Sequence, residues 1–221
     1  MLDIIEAESG PNPTATVLVL HGLGADGNDF VPIVEQLDLE QVGPVRFVFP
    51  HAPVMPVTIN GGYRMRAWYD ILGTEDQGVQ DEKGLRRSRE LVELLIAREK
   101  EQGIPSNRIV LAGFSQGCAM ALLTGIRHAE PLAGIVGMSG YLPLAESTAA
   151  ERTEANAKTP IFLAHGTHDH VVELHRAEKS RDLLQSLGYD VEWHEYLMAH
   201  SVHPQEIEEL SAWLVRVLSA A

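Results

Sequence analysis

The sequence predicts an α/β fold in which a mostly parallel sheet is covered by helices on both faces. Short, continuously apolar runs alternate with longer segments of helical periodicity along the 221 residues. A continuously apolar run is typical of a strand that is buried on both faces, and alternation with helices favours parallel pairing. Several of the runs also end in glycine-containing turns. Because α/β domains often reach this length, we expect residues 1–221 to form a single domain.

The pattern indicates five buried strands, one strand of alternating polarity at residues 191–197 and a weaker edge strand. The edge strand is expected at residues 2–6, because the Gly-Pro-Asn-Pro sequence of residues 10–13 cannot continue it. The other predicted strands are residues 16–20, 45–49, 108–112, 133–138, 160–165 and 191–197. In a parallel sheet of this kind, ligands bind at the carboxyl ends of the strands.

Helical periodicity separates these strands. We expect the longest helix at residues 81–102, where apolar residues recur at i, i+3 and i+4 spacing before Gly103. Pro204 suits the first turn of a terminal helix, since the missing N–H has no helical partner there. The other predicted helices are residues 116–127 and 173–187, together with one that Asp26 or Asn28 caps and that continues to Leu37.

Residues 50–80 contain no clear helix and include several prolines and glycines. Long loops in compact domains are often functional, and this one has apolar side chains to bury. Two interpretations are open: the loop forms the wall of a substrate pocket, or its own aromatic residues hold it against the core. The residues concerned are Met65, Trp68, Tyr69, Ile71 and Leu72.

Composition and charge exclude several classes of protein. The formal net charge of −14 repels phosphate backbones, so we expect no nucleic-acid partner. No apolar run approaches the roughly 20 residues of a membrane span, and the first residues do not resemble a signal peptide, so we expect a cytoplasmic protein. Cys118 is the only cysteine, which excludes an internal disulfide and a cysteine-based zinc site. We expect Cys118 to be a small buried residue.

The sequence G-F-S-Q-G at residues 113–117 joins a predicted strand to a predicted helix. A G-x-S-x-G sequence in this context is typical of a nucleophile elbow, in which the glycines leave room where the backbone reverses. We therefore expect Ser115 to be a catalytic nucleophile. Ser139 also follows a strand, but it lacks the paired glycines.

A catalytic serine needs a histidine base and an acid that orients this base. In α/β-hydrolases the acid follows the serine in the sequence, and the histidine follows the acid. Asp169 follows a predicted strand directly, whereas Asp182 lies in a helix and Asp190 precedes a strand. Among ten histidines, His200 is the first after the last strand. His203 remains an alternative base, although its place before Pro204 suits a helix cap, and His194 lies within the strand.

Two further expectations concern the surroundings of this serine. Glycines on both sides of Leu23 leave its backbone N–H free to point into a cavity, as an oxyanion requires. His165, His168 and His170 lie close to Asp169, but the carboxylate spacing of a metal cage and an H-E-x-x-H motif are lacking, so we expect no metal. No other feature of the sequence calls for a cofactor.

Six blocks of the sequence carry a resemblance to a known family. The chain resembles the carboxylesterase/phospholipase family of α/β-hydrolases, which includes the acyl-protein thioesterases and small bacterial esterases. The blocks occur in the same order over nearly the whole length. They are L-H-G-L-G (20–24), A-P-V-M-P-V-T-I-N-G-G (52–62), A-W-Y-D-I (67–71), G-F-S-Q-G (113–117), H-G-T-H-D-H-V-V (165–172) and M-A-H-S-V (198–202).

The resemblance implies a small bacterial carboxylesterase with Ser115, Asp169 and His200 as its triad, and it favours His200 over His203. It also implies that the N–H groups of Leu23 and Gln116 form the oxyanion hole, and that a homodimer forms. We expect the substrate to contact Leu23, Met65, Trp68, Leu72 and Val172. The chain departs from the family pattern at Cys118, Ala199 and Glu173, where small, glycine and proline residues are usual.

These observations predict a serine carboxylesterase that cleaves short- to medium-chain carboxylic esters, and also thioesters or lysophospholipids, through an acyl-serine intermediate. The segment 141–160 is too short for a separate lid domain. The alternatives are an acyl-protein thioesterase proper, a lactonase or a cofactor-free haloperoxidase with the same triad, and a non-catalytic small-molecule binder.

Overall fold

A computed structural model describes residues 2–73 and 79–219. The strands within these residues are β1 Ile4–Glu8, β2 Ala15–Leu20, β3 Val45–Pro50, β4 Val54–Val57, β5 Tyr63–Arg66, β6 Ile109–Phe114, β7 Gly134–Met138, β8 Ile161–Gly166 and β9 Val191–Tyr196. Seven of these described strands form the main sheet, in the order β1-β3-β2-β6-β7-β8-β9, and β4 and β5 form a hairpin. β1 pairs antiparallel with β3, and the remaining neighbours in the main sheet are parallel.

Helices cover the sheet on both faces, which confirms the predicted fold class. The α-helices of the described residues are α1 Glu82–Glu101, α2 Gln116–Gly125, α3 Thr148–Glu151, α4 Leu174–Ser186 and α5 Pro204–Ser219. One apolar core packs α1, α2 and α4 against the sheet, and a second core packs α5 and a 3-10 helix against the opposite face. All residues of α2 are buried, because this helix lies between the sheet and α1.

Two local expectations were wrong. The helix expected from Asp26 to Leu37 is a 3-10 helix, Gly27–Glu35, whose N-terminal cap is the side chain of Asp26. Pro32 lies inside this segment and has no N–H to donate, which works against a regular α-helix. The second correction is in the 50–80 loop, where β4 and β5 pair as an antiparallel hairpin. Residues 74–78 of that loop lie outside the described residues.

The segment between β7 and β8 consists of short helices held against the main fold. Arg127, two residues beyond the end of α2, is 2 % exposed, and its Nε donates to a carboxylate oxygen of Glu151 at 2.7 Å. The Thr153 N–H donates to the carbonyl oxygen of Ile126. This segment therefore packs beside α2 and forms no lid domain. Within residues 2–73 and 79–219, no helix combines the length and apolarity needed to cross a bilayer.

Candidate active site

Ser115 lies at the turn between β6 and α2, with φ of 55° and ψ of −115°. This positive φ is uncommon for a residue with a side chain and is typical of a nucleophile elbow. The turn requires glycine on both sides of the serine. A Cβ atom at Gly113 would lie only 2.1 Å from the carbonyl oxygen of Gly117, and one at Gly117 would lie only 1.9 Å from that of Leu20. The Ser115 N–H donates to the carbonyl oxygen of Met138 at 2.9 Å. Main-chain contacts therefore hold Ser115 at the carboxyl end of the sheet.

Asp169 and His200 meet in the loops that follow β8 and β9. The Nδ1 atom of His200 lies 2.7 Å from Oδ2 of Asp169, and the Asp169 side chain is fully buried. An ionised carboxylate only accepts hydrogen bonds, so Nδ1 carries the proton and Nε2 is left as a potential base. Oδ1 of Asp169 accepts hydrogen bonds from the N–H groups of Val171 and Val172 at 2.8 and 2.9 Å. The backbone thus fixes the orientation of the carboxylate.

Backbone contacts also join the β8 and β9 loops to each other. The N–H of Thr167 donates to the carbonyl oxygen of Tyr196, and that of His168 donates to the carbonyl oxygen of Met198. A Cβ atom at Gly166 would lie 2.4 Å from the same Met198 oxygen, so the close approach requires glycine here. The ring of Phe114 lies 4.7 Å from the ring of His200, centroid to centroid. His200 therefore lies beside the Ser115 turn.

A buried histidine holds the turn that contains Leu23. Nε2 of His21 accepts from the N–H of Ala52 at 3.0 Å, and Nδ1 donates to the carbonyl oxygen of Gly22 at 2.7 Å. Burial lowers the pKa of His21, so the neutral ring can accept at Nε2. The indole N–H of Trp68 donates to the carbonyl oxygen of His21. These contacts fix the loop after β2 next to the Ser115 turn.

A cavity of about 640 Å³ opens beside Ser115. Leu23 and Gln116, whose N–H groups are the expected oxyanion hole, line it together with Ser115. Much of the remaining lining is apolar. Its large apolar and aromatic members are Ile59, Tyr69, Ile71, Leu72, Val79, Tyr141, Leu142, Val171 and Val172. The arrangement can accommodate an extended apolar chain next to a hydroxyl group.

The structure separates the expected substrate contacts into two groups. Leu23, Leu72 and Val172 line the cavity, whereas Met65 and Trp68 are not among its described lining residues. Trp68 is 1 % exposed and forms part of the core. Trp68 therefore attaches the 50–80 loop to the core, and Leu72 faces the cavity. That this cavity receives the substrate stays a prediction.

Sequence reasoning did not identify the contribution of the loop after β7. Tyr141 lines the cavity, and its hydroxyl lies 3.1 Å from the hydroxyl of Tyr69. The guanidinium of Arg176 lies 3.6 Å from the centroid of the Tyr141 ring. A signal was present, since Tyr141 follows Ser139-Gly140 at the carboxyl end of a strand, where ligand sites of parallel sheets lie.

The other candidate histidines are engaged elsewhere. Nδ1 of His203 accepts from the N–H of Gln205 at 3.2 Å, so its side chain caps α5 as the sequence suggested. His194 lies within β9 and contacts the carboxylates of Glu192 and Glu209. Neither contact orients a histidine towards Ser115.

Two other nucleophilic side chains near the elbow are buried. Ser139 is fully buried, and its hydroxyl donates to the carbonyl oxygen of Ser201 at 3.3 Å. Cys118 is 1 % exposed, and burial raises the pKa of its thiol, which disfavours the reactive thiolate. Among the described residues, no group of three or more histidine, cysteine or acidic side chains could hold a metal ion.

The parallel sheet and the glycine-flanked serine turn at its carboxyl edge define an α/β-hydrolase. Residues 3–218 match the model of the Phospholipase/Carboxylesterase family, and the chain belongs to this family. It is therefore a hydrolase.

Curated proteins and solved structures agree with this assignment. The chain is 41% identical to acyl-protein thioesterase 1 of Yarrowia lipolytica over 206 residues, which cover 91% of each chain. It is 39% identical to acyl-protein thioesterase 1 of Mycosarcoma maydis over 232 residues, covering 98% of this chain and 97% of that one. The crystal structure of Arabidopsis thaliana SOBER1 superposes with a TM-score of 0.87 at 29% identity, covering 92% of this chain and 99% of that one. These relatives are eukaryotic, so they do not support the bacterial source that the resemblance implied.

Proposed function

We propose that the chain is a serine hydrolase of carboxylic esters and thioesters, with Ser115 as nucleophile, His200 as base and Asp169 as the acid that orients it. The observation that carries the proposal is the 2.7 Å contact between His200 Nδ1 and Asp169 Oδ2 beside the Ser115 turn. A serine hydroxyl is a weak nucleophile until a neighbouring base takes its proton, and this contact prepares His200 for that role.

The reaction follows from these roles. Nε2 of His200 takes the proton of Ser115 while Oγ attacks the carbonyl carbon of the substrate. The N–H groups of Leu23 and Gln116 stabilise the resulting oxyanion. When the tetrahedral intermediate collapses, His200 gives its proton to the departing alcohol or thiol, and the acyl group remains on Ser115. Water then attacks the acyl-enzyme with the same proton transfers, which releases the carboxylic acid and restores Ser115.

The cavity supports a substrate with an alkyl acyl chain, and the short- to medium-chain preference stays a prediction. Its volume of about 640 Å³ and its apolar lining suit an alkyl chain, and Leu72 and Val171 extend this lining to the surface. An acyl-protein thioesterase activity is the second candidate, supported by the names of the relatives that are about 40% identical to this chain. Lysophospholipid, lactone and haloperoxidase chemistry would use the same triad. The substrate panel below includes a lysophospholipid and a lactone, and a separate halogenation assay with peroxide would test the haloperoxidase.

Labelling by a fluorophosphonate tests the nucleophile. We expect the purified chain to react at one site, and Ser115→Ala to abolish both labelling and hydrolysis of p-nitrophenyl esters. Ser139→Ala, at the other serine that ends a strand, should still react. Hydrolysis by Ser115→Ala at the wild-type rate would contradict the proposal.

A substrate panel then separates the candidate activities. Matched alkyl esters and thioesters from two to sixteen carbons, an S-acylated peptide, a lysophospholipid and a lactone would be compared by kcat/KM. Preference for the S-acylated peptide over a free thioester of equal chain length would support the thioesterase activity. Binding of a panel member without turnover and without fluorophosphonate labelling would indicate the non-catalytic binder.

The homodimer, the cytoplasmic location and the single-domain organisation stay predictions. Sedimentation equilibrium of the purified chain would test the dimer, and limited proteolysis would test the domain organisation.

A further inference from the structure

His165 is a buried titratable group that the proposed mechanism does not use. It lies near the end of β8, four residues before Asp169, and none of its surface is exposed. A buried histidine in a core often has no role beyond packing. Among the described residues, the recorded polar contacts of its side chain are with the turn that carries the proposed catalytic acid.

The Nε2 atom of His165 lies 2.8 Å from the carbonyl oxygen of Val172 and 3.4 Å from Oδ2 of Asp169. Both neighbours are acceptors, so Nε2 carries the proton and donates to Val172. Burial lowers the pKa of His165, which favours the neutral ring. Nδ1 is buried and has no hydrogen-bond partner among the described residues. The single N–H of the ring is therefore directed at the turn of residues 169–172.

Both backbone polar groups of Val172 in this turn have a side-chain partner. The N–H of Val172 donates to Oδ1 of Asp169, and its carbonyl oxygen accepts from His165. Asp169 and His165 thus hold the two peptide groups of one residue, and the side chain of that residue lines the cavity. A displacement of Val172 would change both the direction of the Asp169 carboxylate and the shape of the cavity wall.

We infer that His165 is a positioning residue: its Nε2–H holds Val172, which keeps Oδ2 of Asp169 directed at His200. The inference rests on the proposed function, because it assigns His165 a role through Asp169. A packing role alone would require only the volume of the ring. A positioning role requires a hydrogen-bond donor at the place of Nε2.

The test compares His165→Gln with His165→Asn. The amide nitrogen of glutamine reaches about as far as Nε2, whereas that of asparagine ends near the position of Nδ1 and cannot reach Val172. We expect His165→Gln to retain most of kcat and His165→Asn to lose about 10²-fold, the usual effect of a small misplacement in a catalytic group. His168→Asn is the matched control, because His168 is exposed on the same loop.

The pH dependence separates positioning from folding. If Asp169 is no longer held, it stabilises the protonated His200 ring less, so the acidic limb of the kcat/KM profile should move to lower pH in His165→Asn. The downfield proton resonance of the His200–Asp169 hydrogen bond should also weaken or shift in this variant. A variant that merely contains less folded protein would show lower activity at every pH and a weaker spectrum as a whole. The position of the acidic limb and the chemical shift of the resonance would stay the same. An unchanged limb and an unchanged resonance in His165→Asn would overturn the inference.

The two proposals fail in different ways. Absence of ester and thioester hydrolysis by the wild-type chain would contradict the proposed function. The resonance would still report on the role of His165, because it does not depend on turnover. Equal values of kcat in the glutamine and asparagine variants, with wild-type pH profiles, would contradict the positioning role while leaving the hydrolase assignment intact.

Discussion

The side-chain oxygen of Gln116 accepts a hydrogen bond from the backbone N–H of Trp68 at 3.0 Å. Nε2 of the same side chain donates to the carbonyl oxygen of Tyr69 at 3.0 Å. The residue that follows the nucleophile therefore holds the segment that forms part of the cavity wall. Its backbone N–H is the one proposed to bind the oxyanion, so one residue is expected to serve both the chemistry and the cavity.

Gln116→Leu should destabilise the chain while leaving measurable turnover. Leucine removes both contacts, and a buried backbone group without a partner costs about 1–3 kcal/mol. The backbone N–H of residue 116 is retained, so we expect KM to rise more than kcat falls. Chemical denaturation and steady-state kinetics would measure the two effects. Gln185→Leu, at an exposed glutamine of α4, is the control, and equal stability of the two variants would contradict the prediction.

Asp169→Asn should lower kcat by about 10⁴-fold with little change in KM, because an amide can fix the wrong tautomer of the base. The measurement is kcat on a p-nitrophenyl ester, with folding checked by circular dichroism. Asp182→Asn and Asp190→Asn change the two carboxylates that the sequence also offered, and both are exposed. A comparable loss of kcat in either of these variants would contradict the assignment of Asp169 as the catalytic acid.

Leu72→Trp should narrow the cavity and shift the substrate preference to esters with shorter acyl chains. Leu72 lines the cavity and is 40 % exposed, so a larger side chain can be accommodated without repacking the core. The measurement compares kcat/KM for an ester with a ten-carbon acyl chain and one with a four-carbon chain. Their ratio should fall about tenfold, since one methylene group in an apolar pocket changes the transition-state free energy by about 1–3 kcal/mol. Leu94→Trp, on the exposed face of α1, should leave the ratio unchanged. The prediction fails if the two variants have the same ratio.

Glu206 should make stability depend on pH. It is fully buried near the start of α5, where Oε2 accepts from the His203 N–H and Oε1 has no partner among the described residues. Burial raises the pKa of Glu206 to about 7. Because the folded chain binds this proton more tightly than the unfolded chain, the resulting stabilisation is complete below the unfolded pKa, near 4.5, and is lost as the pH rises through 7.

Glu206→Gln removes this titration. We expect the variant and the wild type to have similar free energies of unfolding at pH 4, and the variant to be more stable by about 3 kcal/mol at pH 8. Urea unfolding across this range provides the measurement, with Glu208→Gln, at an exposed carboxylate of α5, as the control. A difference that did not grow between pH 4 and pH 8 would contradict the assignment.

The sequence predicted the sheet well because the relevant signals are local. Continuous β-branched and apolar runs placed the strands within one or two residues, and Gly103 and Pro204 placed helix ends. The β4–β5 hairpin was missed although Asn60-Gly61 is a strong turn signal, because Pro56 weakens a strand pattern of only four residues.

The environment of individual site residues could not be predicted in the same way. Trp68 lies in the apolar core, where its indole N–H is satisfied by the carbonyl oxygen of His21, a contact between residues 47 positions apart. His165 was considered only as a metal ligand, since its partner Val172 becomes apparent only when the loop after β8 is folded. Such contacts depend on how distant loops meet at the sheet edge, which periodicity does not report.

Gly113, Gly117 and Gly166 make the catalytic geometry depend on backbone atoms. At each position, a single methyl group would overlap a main-chain carbonyl oxygen of a neighbouring site segment. The outer part of the cavity wall, in contrast, is formed by exposed side chains such as those of Leu72 and Ile59. These side chains lie outside the contacts that hold Asp169 and Gln116 in place, so a library that randomises them should yield new substrate preferences without loss of the reactive serine.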